Sequence, residues 1–273
     1  MALKTLSKAK NYNPKYGWRP DKPDFRDFKF TGHMSATALP SFVDLRSKLP
    51  AVYNQQQLGS CTANSIAGVV EFDLIRQKLL LAGSTSYMPS RLFIYYNERV
   101  MEGTVTQDAG AEIRDGIKSI NVQGVCAESE WPYNVNAFAT KPPAACYTNA
   151  LKNKSVSYQS INQDLADMQS CLAGGLPFSF GFTVYDSFES DQVASTGIVP
   201  MPGPTESVLG GHAVAAAGYN SGTSTVNGVP PQTFIVRNSW GPYWGVKGYC
   251  FMPFAYLSNQ NLSSDFWKIT VMA

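Results

Sequence analysis

Asn54-Gln55-Gln56-Gln57-Leu58-Gly59-Ser60-Cys61-Thr62-Ala63-Asn64 leads from a polar, glycine-containing loop into an apolar periodic segment. After Ser60 the apolar residues fall at Ala63, Ile66, Ala67, Val70 and Leu74, the spacing of one helix face. Ser60 is placed to cap that helix, and the pattern runs to about Leu81, before Gly83. Cys61 is then the first helical residue. A thiol there meets unpaired backbone N–H groups and the positive end of the macrodipole, which favour the thiolate.

A nucleophilic thiolate needs a base that takes its proton and returns it to a leaving group. The chain has two histidines, His33 and His212. His33 reads as an exposed residue of the N-terminal stretch, so His212, in Gly211-His212-Ala213, is the candidate base. The base needs a third group to fix its tautomer and ring plane. Arg237-Asn238-Ser239-Trp240-Gly241 offers it. The Asn238 amide orients an imidazole without neutralising an imidazolium, and Trp240 shields that hydrogen bond from water. A tetrahedral intermediate also needs oxyanion donors; the Cys61 N–H and the Gln55 side-chain amide are in place to supply them.

Together the islands Gln55-x5-Cys61, Gly211-His212-Ala213 and Asn238-Ser239-Trp240-Gly241-x2-Trp244-Gly245 resemble the papain-like cysteine proteases. His212 and Asn238 lie 151 and 177 residues after Cys61, slightly beyond the family's usual spacing of about 130–150. Leu39-Pro40-Ser41-Phe42-Val43-Asp44-Leu45-Arg46 resembles the start of a mature enzyme of this kind, and the likeness extends to about Met252. Gly59-Ser60-Cys61-Thr62-Ala63-Asn64 and the upstream Gly17-Trp18-x-Pro20-Asp21-x-Pro23-Asp24-x-Arg26-Asp27 are similar to microbial members. The resemblance implies a cysteine endopeptidase with an acyl-enzyme intermediate, in which Gln55, Cys61, His212 and Asn238 are catalytic. It implies a protein or peptide substrate, no cofactor and no metal. Gly110 is expected to present backbone to an extended substrate. Ile113, Gly181, Gly210, Gly211 and Ala213 are expected to line the pocket for the residue two before the scissile bond, with Trp240 nearby. A basic side chain also fits there if Asp265 reaches the floor. Leu58 and Asp108 stand where many relatives carry a disulfide, so both halves of that bridge are missing together.

Composition agrees with this reading. The 273 residues are 44% hydrophobic with a net charge of +2, enough for a substantial core and too little charge to suggest a nucleic-acid partner. No run of 18 apolar residues suggests a membrane span. The first residues lack the apolar core of a signal peptide, so a secreted or periplasmic location would require a longer precursor. A monomer is the default expectation. Of five cysteines, Cys61 is the odd one out; Cys126 and Cys146 either bridge locally or stay free, and Cys171 and Cys250 read as buried thiols. None has metal-site spacing.

Residues 1–38 form a separate arm. They carry eight cationic and three anionic side chains, a net +5, against −3 for the remainder. Prolines and aromatics alternate from Tyr12 to Phe30, which marks an extended segment whose Tyr16, Trp18, Phe25, Phe28 and Phe30 dock onto the body. The segment Trp18–Phe30 is the expected anchor, with Asp24, Arg26 and Asp27 pairing across the contact, and the arm is expected to cover part of the cleft. Residues 39–273 form the catalytic domain, with a helical lobe over roughly 50–150 and a β-rich lobe over roughly 151–273. Further helices are expected at 89–101, 111–121 and, capped by Asn162, 162–173. Strands are expected near 177–182, 212–215, 234–237 and 248–252. The fold class is α+β, two-lobed and papain-like, with a β-barrel-like second lobe and the active-site cleft between the lobes.

Overall fold

Phe178, Phe180, Phe182 and Val184 alternate with Ser179, Gly181 and Thr183 along strand β3 (Phe178–Tyr185), which lies between the two larger of three apolar clusters, the third being Ala217, Val229, Ile235, Tyr249 and Phe251. The structure, a computed structural model, describes residues 15–32, 39–77, 87–153 and 156–271. His33 and the expected end of the first helix at Leu81 lie outside these residues.

The strands are β1 (Phe42–Asp44), β2 (Val156–Ser160), β3, β4 (Val208–Asn220), β5 (Thr233–Arg237), β6 (Tyr249–Pro253) and β7 (Ser263–Val271). They form one antiparallel sheet in the order β2-β7-β3-β4-β5-β6, with β1 on β4. This path is open, so the second lobe is an open sheet and not a closed barrel. One face packs on α1 (Cys61–Arg76), α2 (Arg91–Glu102) and α3 (Ile113–Gln123) through Ala213, Ala215, Trp267 and Ile269. The other face buries the β3 aromatics with Val214, Ala216, Val236, Met252 and Phe266 against α5 (Leu165–Ala173). Successive residues of β4 thus serve opposite cores, as a period of two requires. Short helices α4 (Ala144–Ala150), α6 (Asp191–Thr196) and α7 (Phe254–Ser258) complete the chain.

The amphipathic reading of α1 understates its burial. Every residue from Cys61 to Leu74 is buried, because the helix lies between α2, α3 and the sheet. Its polar residues are paired inside: Ser65 Oγ donates to the Val214 carbonyl at 2.8 Å, and the Val271 N–H donates to Asp73 at 2.7 Å. Ser60 does not cap α1; its hydroxyl meets the Tyr133 hydroxyl at 2.5 Å. Ser90 caps α2, and Asp164 caps α5 in place of Asn162.

All five cysteines are buried free thiols. Cys126 and Cys146 face each other within hydrogen-bonding reach and stay unbridged. Among the described residues, no helix is long and apolar enough to cross a membrane.

The arm docks as expected at Trp18 and Phe30, both buried, but Phe25 and Phe28 are 99% and 75% exposed. They sit where the chain turns at Asp24–Asp27. The Phe30 N–H donates to the Ser160 carbonyl, and the Ser160 N–H to the Phe28 carbonyl, each at 2.8 Å, so the arm extends the β2 edge. Asp27 pairs with Arg114 of α3 at 2.8 Å, whereas Arg26 folds back onto Asp24 of the arm itself at 2.7 Å.

Phe180 is fully buried and stacks on Phe266 with ring centroids 5.6 Å apart. Phe180→Ala should cost about 3–5 kcal/mol, read as a lower urea midpoint with an unchanged m-value.

Candidate active site

Cys61 begins α1, and His212 sits on β4 beside Ala213, whose backbone lies against the Cys61 sulfur. The helix and the sheet therefore bring the thiol against the backbone of the residue that follows the imidazole. His212 Nε2 lies 2.8 Å from Asn238 Oδ1. The same oxygen accepts the Ser239 N–H at 2.8 Å. An oxygen that already accepts one N–H identifies Nε2 as the protonated ring nitrogen. Nδ1 is then the free base, and it is buried with no hydrogen-bond partner among the described residues. Trp240 covers this pair, its ring stacked on the imidazole with centroids 5.0 Å apart.

Gln55 joins the group through two contacts that its sequence position does not reveal. Its N–H donates to the Ser239 carbonyl at 2.8 Å, and its side-chain Oε1 accepts the Ser239 hydroxyl at 2.6 Å. With Oε1 held, Nε2 points outward and donates to the Leu58 and Lys15 carbonyls at 2.9 and 3.0 Å. Tyr133 steadies the same loop by donating to the Gln55 carbonyl at 2.8 Å. Ser239 and Tyr133 were invisible as site residues in the sequence, since a serine and a tyrosine carry no spacing signal of their own.

The arm fills the cleft. The Trp18 N–H donates to the Gly211 carbonyl at 2.9 Å, Ala111 N–H to the Gly17 carbonyl at 2.7 Å, and Arg19 N–H to the Ala111 carbonyl at 3.0 Å. Trp18 and Ala111 run parallel. Glycines permit this approach. A Cβ on Gly110 would lie 2.0 Å from the Gly17 carbonyl oxygen, and one on Gly17 only 1.8 Å from that of Gly59. A Cβ on Gly181 would stand 1.9 Å from the Trp18 indole, and one on Gly211 2.3 Å from the Trp18 carbonyl oxygen. Trp18 shares its apolar cluster with Ile113 and Ala213, while Gly210 lies under Tyr16 instead.

The floor of the Trp18 pocket is Asp265. β7 carries an extra residue against β3 between Ser264 and Trp267, and Asp265 there adopts φ 60°. Such a bulge re-aims a side chain. Asp265 accepts the Trp18 indole N–H at 3.0 Å and the Asp21 backbone N–H at 2.8 Å.

Burial decides the electrostatics. Cys61 and His212 are both inaccessible to solvent. Desolvation pushes the Cys61 thiol up to about 12, although the Ala213 and Gly17 N–H groups oppose it. Desolvation pushes His212 down to about 4, against the hydrogen bond it donates to Asn238. Under the arm the couple is a neutral thiol and a neutral imidazole, because a buried ion pair would be costly there.

Comparison with known proteins agrees with this architecture. A family model described as Papain family cysteine protease matches residues 39–263. A peptidase C1-like protein of Acanthamoeba polyphaga mimivirus is 41% identical over 93% of this chain and 86% of its own length. Cathepsin K of Gallus gallus is 30% identical over 78% of this chain, which spans 58% of that protein. Xylellain, a cysteine protease from Xylella fastidiosa, superposes with a TM-score of 0.85 at 40% identity, covering 94% of this chain and 96% of that one. The chain belongs to the papain family of cysteine proteases. It is a peptidase, and it acts on protein or peptide substrates.

The raised Cys61 value has a direct consequence. Iodoacetamide at pH 7 should label Cys61 of the folded, arm-intact chain far more slowly than in urea, because burial under the arm holds the thiol protonated. Peptide mapping of the labelled cysteine checks it.

Proposed function

We propose that this chain is an endopeptidase working through Cys61, His212 and Asn238, and that its N-terminal arm, residues 1–38, holds it as a zymogen of the 39–273 domain. In the opened enzyme His212 Nδ1 takes the thiol proton, and the thiolate attacks the substrate carbonyl carbon. The oxyanion receives the Cys61 N–H and Gln55 Nε2. Collapse expels the amine, which takes the proton from His212, and leaves a thioester on Cys61. Water, deprotonated by His212, then attacks the thioester and frees the acid.

One observation carries this reading: the arm lies extended through the cleft, with the Lys15 carbonyl on Gln55 Nε2 and the Gly17 N–H against the Cys61 sulfur. The cleft thus holds a polypeptide strand across the thiol, with chain continuing on both sides, which suits cleavage within a chain. The arm survives because it offers the sulfur an N–H and not a carbonyl carbon.

Release of the arm should depend on pH. Asp21 of the arm is buried beside Asp265 and takes the Trp267 indole N–H at 2.6 Å and the Arg114 N–H at 3.1 Å. Burial first, and then Asp265, raise the Asp21 carboxyl from 3.8 to about 8; burial also raises Asp265. A released Asp21 returns to its ordinary value. The docked state therefore binds more protons, so docking is firmest below about pH 4 and weakens as pH rises toward about 8.

Gly17→Ala, which forces a Cβ onto the Gly59 carbonyl, should raise both Cys61 alkylation and peptide turnover of the full chain. Unchanged rates in a folded variant would end the zymogen reading. On that opened background Cys61→Ala and His212→Ala should abolish turnover, and Gln55→Ala should lower kcat by roughly 10²–10³-fold.

In the arm-intact protein the labelling rate of Cys61, divided by that of the Gly17→Ala chain, should rise from pH 4 to 8. Asp21→Asn should flatten that ratio. A ratio that falls with pH would contradict docking through a protonated Asp21.

A further inference from the structure

Beside the Trp18 pocket, on the side away from Cys61, the cleft wall is built of carboxylates. Glu102 at the end of α2, Glu112 at the cap of α3 and Asp115 in its first turn bring carboxylate oxygens within 4.8 Å of one another. Glu98, one turn earlier on α2, is fully buried, and its Oε2 has no hydrogen-bond partner among the described residues. Glu102 and Asp115 are among its charged neighbours.

The positive end of α3 accounts for part of this charge. The Glu112 N–H donates to Glu102 at 2.7 Å, as a helix N-terminus allows. It does not neutralise the group: burial and the nearby acids still raise Glu102 to about 7, and Asp115 is raised as well. Arg99 acts on Glu98, but its guanidinium is committed to the carbonyls of Val105, Gln107 and Phe138. Arg114, which pairs with Asp27 of the arm, and Lys118 both act on Asp115 and stay with the body, so Glu102 is the carboxylate that depends on the arm for its cation.

The cation seated on the cluster comes from the arm. The Arg19 guanidinium pairs with Glu102, whose side chain is 5% exposed. Lys22, also of the arm, places its backbone N–H 3.3 Å from Glu112 and its charge near Asp115. When the arm leaves, both positive charges leave with it.

We propose that these carboxylates form a subsite of the opened cleft that selects an arginine or lysine side chain of the substrate. The proposal rests on the peptidase reading above. Its position follows from the arm's register. Gly17 lies at the thiol, Trp18 in the pocket expected for the residue two before the scissile bond, and Arg19 one step farther from the thiol, so in a substrate that runs opposite to the arm the basic residue is the third before the scissile bond. Glu102 is the principal specificity-determining residue, with Glu112 and Asp115 adding field. A guanidinium fits because Arg19 already pairs with Glu102 there, a charge-assisted contact of the strong kind, and because a strand on Ala111 delivers a side chain there.

The test uses the full-length Gly17→Ala protein and three fluorogenic peptide amides, identical except for Arg, Gln or Glu at the third position before the cleaved bond. The expected kcat/KM for Arg exceeds that for Gln by about tenfold, the scale of a charge-assisted hydrogen bond, and Glu is worst. Glu102→Gln keeps an acceptor for the Glu112 N–H and should bring the Arg to Gln ratio near one; Asp115→Asn should lower it less. Added sodium chloride should shrink the ratio. Equal rates for the three peptides overturn the subsite while leaving the peptidase reading standing, whereas no cleavage of any of them overturns the peptidase reading itself. Rates that follow millimolar calcium without distinguishing the peptides would make the cluster a cation site and also overturn the proposal.

Discussion

The demand that β4 be buried on both faces organises this protein. Its odd residues, Ala213 and Ala215, pack toward α1, and its even ones, Val214 and Ala216, toward the aromatic core. Small side chains on the helical face let α1 approach the sheet, and the Ser65 hydroxyl then reaches the Val214 carbonyl. A slip of one residue in β4 would exchange the two sets and carry His212 to the wrong face. The distance between thiol and base is thus fixed by core packing, which tolerates little change in volume, and not by the flexible loops around the cleft.

The chemistry was more legible in the sequence than the packing was. Cys61 and His212 stand out because the chain has five cysteines and two histidines, while Asn238 and Gln55 are picked out by the motifs around them. The long helices were legible in their period. β7 escaped notice because a bulge interrupts its alternation, and β2 because an edge strand needs few apolar residues. Ser60 looked like a cap, but Tyr133 competes for its hydroxyl. Phe25 and Phe28 looked like anchors, but the turn at Asp24–Asp27 points them outward; composition cannot distinguish an aromatic that docks from its neighbour that does not.

At Leu58 and Asp108 a polar network stands in for a covalent link. The Asp108 carboxylate accepts the Gly59 N–H at 3.0 Å, takes the Tyr95 hydroxyl and pairs with Lys15 of the arm. It fixes the loop before Cys61 as a cross-link would, and Leu58 fills the vacated space in the helical core. The loop is therefore held by contacts that form without an oxidant, and one of them reports on whether the arm is present.

The arm and the cleft share one chain, joined through the segment between Gly32 and Leu39. An attached strand competes at the effective concentration of its tether, on the order of millimolar for a short linker. A single cut in that segment would leave every contact of the docked strand intact and still change the balance. The strand would become an ordinary ligand, lost on dilution and outcompeted by abundant substrate. Occupancy of the cleft would then depend on how much protein surrounds the enzyme, so one peptide bond converts a fixed property of the molecule into a response to its surroundings.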